Sequence, residues 1–112
     1  MIEGFGAVSV EMGIHHRATG DYQVVPVATI DAFRLVWLPA CERLGLELVP
    51  LFAGGALSPV PAEMVLRVVA EVTRLRDAAA EWPDGDYLAD RCSSILAAFA
   101  RTDPAAYEYD FG

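Results

Sequence analysis

Apolar residues recur at every second position near both ends of this chain and at helical spacing between them, which restricts it to folds that mix sheet and helix. In Val8-Ser9-Val10-Glu11-Met12-Gly13-Ile14 the apolar side chains Val8, Val10, Met12 and Ile14 share one face, the period of a half-buried strand. Tyr22 to Val27 is a second β-like run. Pro26 within it has no N–H to give a ladder, so an edge or strand end is its expected place. The polar segment His15 to Asp21 between them reads as a hairpin loop, longer than the commonest two-residue type. At the other end Tyr107, Tyr109 and Phe111 alternate with Glu108 and Asp110, the pattern of a strand with one aromatic and one acidic face.

The middle of the chain changes period. Thr29 suits an N-cap, and Ile30, Phe33, Trp37, Cys41 and Leu44 form one stripe of a helix stopped by Gly45. Leu35, Val36 and Leu38 widen that stripe, so this helix is expected to be mostly buried. Pro39 predicts a kink or restart, because it removes the backbone bond to residue 35 and crowds the preceding turn. Leu46 to Phe52 reads as a third short strand. Pro61 opens a helix to about Trp82, with Val65, Val68, Val69, Val72, Leu75 and Ala79 on one face and Glu63, Arg67, Glu71 and Arg74 opposite. After Pro83-Asp84-Gly85, Asp86 is the expected cap of a third helix to about Arg101, with Leu88, Cys92, Ile95, Leu96 and Phe99 inward.

With 112 residues, a second domain would leave each half too short for a core, so residues 1–112 read as one domain. It is β-rich over 1–28 and mainly helical over 29–101, with a C-terminal strand within 105–112. The expected class is α+β, with about three helices on a small antiparallel sheet.

Charge narrows the function classes. The chain has 8 Arg and no Lys against 16 Asp and Glu, a formal charge of −8. Spread over Arg17 to Arg101, the arginines form no phosphate-tracking cluster, so direct nucleic-acid binding is not expected. Without lysine there is neither a Schiff base nor a P-loop. No basic residue precedes the apolar run near Met1, which argues against a secretory signal. The uncharged stretch Leu48 to Ala62 is too short and too rich in Pro and Gly to cross a bilayer. Arginine-only basicity, many alanines and no asparagine suggest a bacterial, cytoplasmic protein.

Chemical motifs are sparse. His15 and His16 point to opposite sides of an extended segment and have no third or fourth ligand at a useful spacing, so neither a metal nor another cofactor is expected. Asp110-Phe111-Gly112 matches a kinase metal-binding tripeptide but lacks every accompanying element. No serine sits in a nucleophile elbow, and Cys41 and Cys92 lie on apolar stripes as buried, reduced thiols. No catalytic residue is assigned.

Acidic and aromatic residues are what remains. Glu81, Asp84, Asp86 and Asp90 crowd ten positions, and Tyr107, Glu108, Tyr109 and Asp110 add a second acidic, aromatic run. Aromatic anchors amid negative charge suit a protein partner with a basic surface. These eight residues are the expected contact set of a small acidic binding module, of the kind exemplified by an immunity protein or inhibitor covering a basic toxin. The alternative is a small enzyme or ligand-binding domain with a polar site around His15 to Asp21. Self-association is also compatible with so wide an apolar surface on residues 30–44.

Overall fold

The computed structural model describes residues 9–112; Val8, the first residue of the expected opening strand, lies outside them. Alternation in β1 (Ser9–His16) buries Val10, Met12 and Ile14 and turns Glu11, Gly13 and His15 to the other face. The chain reverses through a polar loop in which His16 Nδ1 accepts the N–H groups of Ala18 and Thr19. It returns antiparallel as β2 (Tyr22–Thr29). Val10 pairs with Ala28 and Glu11 with Pro26, so Val27 is an extra residue that bulges into the core.

The tail is β3 (Tyr107–Phe111), antiparallel to β1 on its other side, which gives the sheet order β2-β1-β3. Met12 opposes Phe111 and Ile14 opposes Tyr109, so the aromatic face of the tail joins the buried face of β1. The expected α+β class, with helices on a small antiparallel sheet, is what the chain adopts.

Helices cover the inner face. Thr29 Oγ1 caps the first by accepting the Ala32 N–H at 3.1 Å. It runs as α1 (Ile30–Ala32), a π-wound stretch Phe33–Trp37, and α2 (Leu38–Leu44). Pro39 supplies the physical reason for the middle segment. A regular helix would drive its ring against the Leu35 carbonyl, and the wider turn, with Leu38 N–H bonded to Phe33 C=O, relieves the crowding. Gly45, at φ 69°, ends α2 in the left-handed conformation, and Leu46 N–H returns to the Cys41 carbonyl.

Residues 46–52 form no strand. Val49–Phe52 is a 3₁₀ turn containing Pro50, and the N–H groups of Glu47, Leu48 and Val49 all donate to the Glu71 carboxylate, at 3.2, 2.9 and 3.0 Å. A side chain from the next helix thus takes the donors that a ladder would have used.

That helix, α3 (Val65–Ala79), follows a short 3₁₀ turn at Ala62–Met64 and ends before Trp82; Val69 is only half-buried. α4 (Asp86–Ala100) packs beside α3 and against β2. Its N-cap position is Gly85, not Asp86, and the Asp86 side chain makes no capping bond. Phe99 of α4 meets Tyr109 and Phe111 at ring distances of 4.7 and 6.4 Å, and Phe52 stacks on Phe111 at 3.8 Å. The core therefore sits between the aromatic face of the sheet and the three helical rods.

Candidate functional site

The expected contact residues fall on two separate surfaces. Strand alternation causes the split: Glu108 and Asp110 stand on the outer face of the sheet, away from the α3–α4 turn and the start of α4, which carry the other four acids. Tyr109 points inward and is fully buried, with its hydroxyl 2.7 Å from Thr102 Oγ1, so it offers nothing to a partner. Tyr107 is half-buried and meets His16 edge to face at 4.8 Å.

On the outer face of the sheet, His15 Nε2 donates to Asp110 Oδ2 at 2.7 Å. The carboxylate lies over Gly13, where any Cβ would collide with it. Tyr22, opposite His15 in the hairpin register, covers the imidazole at a ring distance of 4.4 Å. Arg17 and Glu108 lie 3.7 Å apart at the same end. The expected polar site at His15 to Asp21 is thus represented by His15 and Arg17, completed by two acids from the far end of the chain. Asp21 is exposed in the loop, and His16 points to the opposite side of the strand.

The second surface lies where the first helical rod passes the turn between α3 and α4. Glu81, Asp84, Asp86 and Asp90 are all exposed, and none is within ion-pair distance of a described arginine. Of the four, Asp84 alone lines a groove of about 370 Å³, together with Leu35, Val36, Pro39, Arg43 and Trp82, among others. Leu35 is 76% exposed and Val36 38%, which corrects the expectation of a mostly buried helix. The buried side of the π-wound segment is held by Phe33 and Trp37, stacked at 5.8 Å, and the remaining two apolar side chains of that turn face out. The Arg43 guanidinium lies 4.7 Å above the Trp82 ring and fixes the floor of the groove.

Sequence reasoning missed this apolar strip because it spread the whole stripe of residues 30–44 over the core. The available signal was helix geometry: at 3.6 residues per turn Leu35 falls about 160° from the face that carries Phe33, Trp37 and Cys41, on the solvent side.

Neither thiol is poised for chemistry. Burial pushes the Cys41 thiol up to about 12, with the Glu71 charge adding to the effect. Burial also pushes Cys92 up to about 12, helped by Cys41 and opposed by Arg76. Among the described residues, no three His, Cys, Asp or Glu side chains converge in a way that would hold a metal ion, and no helix is long and apolar enough to cross a membrane. Comparison with protein-family models, with curated proteins and with solved structures gives no match.

Proposed function

We propose that this chain is a small acidic protein-binding module that occludes or neutralises a basic partner, as an immunity protein or inhibitor does with a toxin. One observation carries the reading: exposed Leu35 and Val36 line a groove with Trp82 and Asp84, and Asp84 and its sequence neighbours Glu81, Asp86 and Asp90 are exposed with no described arginine at ion-pair distance. Protein interfaces combine a desolvated apolar centre with a polar rim, and a rim of one sign raises the association rate of an oppositely charged partner. The proposal includes a bacterial cytoplasmic setting, in keeping with the composition. The test is photocrosslinking from position 35 in native cells, followed by binding kinetics with the purified crosslinked protein. A basic partner lost on Leu35→Glu, with the circular dichroism spectrum unchanged, supports the reading. A partner whose binding ignores that substitution overturns it.

The His15–Asp110 pair favours a second reading, a ligand-binding or acid–base site on the outer sheet face. An imidazole oriented by a carboxylate is a proton acceptor aimed in a fixed direction. Small-molecule fragment screening by NMR separates the two readings. Shifts centred on Gly13, His15 and Tyr22 favour the ligand site, and shifts confined to Leu35 and Trp82 count against it.

A further inference from the structure

Among the described residues, the hydrogen-bond parity of the sheet leaves one edge open. Glu11 exchanges both backbone bonds with Gly112, at 2.9 and 3.1 Å, and Arg17 N–H donates to the Ala106 carbonyl, so odd positions of β1 serve β3. His16 N–H donates to the Asp21 carbonyl, so even positions serve β2. With Ile14 opposite Gln23 and Met12 opposite Val25, it is Gln23 and Val25 that face β1. Tyr22, Val24 and Pro26 therefore direct their backbone groups outward. On β3 the corresponding outward groups are occupied: Val60 N–H donates to the Tyr109 carbonyl at 2.8 Å and Phe111 N–H to the Leu57 carbonyl at 2.9 Å. No described segment does this for β2, where Tyr22 is 54% and Val24 42% exposed.

We propose that this edge of β2 is a self-association site at which a second copy of the chain adds its own β2, antiparallel, with Val24 opposite Val24. Two features select a second copy as the occupant. The first is symmetry. In this register Tyr22 of each copy faces Pro26 of the other, Val24 exchanges both its bonds with its counterpart, and each Tyr22 N–H meets a Pro26 carbonyl. That makes on the order of four hydrogen bonds about a two-fold axis. The missing N–H of Pro26 falls where it deprives only the Tyr22 carbonyl.

The second feature is charge. Tyr22–Thr29 contains no charged residue in a chain of net charge −8, so two acidic copies meet along a neutral strip, which gives a basic partner nothing to pair with. Edge strands are usually guarded against such pairing by charged side chains, and on β2 only Pro26 interrupts the row.

Two substitutions test the proposal. Val24→Pro removes an outward N–H and leaves the bonds of Gln23 and Val25 to β1 intact. Val24→Lys sets like charges directly opposite each other across the new pair. Sedimentation velocity from micromolar to millimolar protein is expected to show a species of twice the 12.1 kDa chain mass. Each substitution is expected to raise its dissociation constant roughly tenfold or more, because the pair loses ladder bonds or gains repulsion. Leu35→Glu leaves the dimer unchanged, which separates this edge from the groove. Amide exchange at Tyr22 and Val24 slows as the wild-type concentration rises. A chain that stays monomeric throughout, or a dimer indifferent to Val24→Lys, overturns the proposal. Val24→Lys decides alone if Val24→Pro fails to fold.

Discussion

Asp110 reaches over the backbone of Gly13 to receive the Nε2–H of His15 at 2.7 Å, although 95 residues separate donor from acceptor. The contact depends on a missing side chain in the strand between them. Gly13→Ala is expected to push the Asp110 carboxylate aside and break the pair. Stability changes by about 1 kcal/mol or less, since partly exposed ion pairs contribute little. Loss of the hydrogen bond is read from the His15 ring resonances in NMR spectra; unchanged resonances would show that Asp110 does not rest on Gly13.

Glu71 lies on the expected polar face of α3, yet it terminates the segment that follows Gly45 by taking three backbone N–H groups. Glu71→Ala is expected to cost about 2–4 kcal/mol, because three charge-assisted bonds are lost and the N–H groups of buried Leu48 and Val49 stay unpaired. Glu71→Gln keeps one carbonyl acceptor and recovers part of the loss. Urea denaturation of the two variants gives the comparison. An alanine variant as stable as wild type would contradict the capping role.

Cys41 and Cys92 give the fold a defined alkaline limit. Both thiols are held near 12 from an ordinary value of 9.0, so between those values the folded state keeps protons that the unfolded chain gives up. Their contribution is fully present below pH 9 and declines as pH rises toward 12, by up to about 1.4 kcal/mol per pH unit for each thiol. Denaturation curves at pH 8, 9.5 and 10.5 are expected to show the decline in wild type and a flatter profile in the Cys41→Ala, Cys92→Ala double variant. An equal slope in both proteins would assign the decline to other groups.

Charge at the α3–α4 turn bears on kinetics more than on stability. Reversing Asp84, Asp86 and Asp90 together to Arg is expected to slow association with a crosslinked basic partner at low salt. At physiological salt the effect shrinks, since exposed charges are screened over about 8 Å. Glu108→Arg, on the other face and beside Arg17, is expected to leave association unchanged. Stopped-flow mixing over a salt series distinguishes the two surfaces, and equal slowing by both would merge them.

How far the sequence can be read depends on the range of the interaction involved. Alternation of apolar side chains identified β1 and β3 because each strand buries one face, and the capping oxygen of Thr29 and left-handed Gly45 marked the ends of the first helical rod. Both signals are local. The same alternation, taken to its conclusion, would have put Tyr109 inward and parted it from Glu108 and Asp110. The strand expected at 46–52 failed because Glu71, more than twenty residues away, competes for its donors. The His15–Asp110 pair needed the tail to be placed beside β1, which no local pattern dictates. In the first rod, Pro39 announced the disturbed winding, whereas the exposure of Leu35 follows from its place opposite Phe33 and Trp37 on the helix.

The strap formed by Leu57 and Val60 along β3 has a bearing on assembly. A sheet with one sealed margin can lengthen in a single direction. A copy added antiparallel at β2 brings its own sealed β3 to the far end, so growth stops there. A chain with two bare margins would polymerise without limit. On the proposed pairing at β2, the short run between the Gly54-Gly55 turn and Pro61 is what closes the joined sheet at two copies.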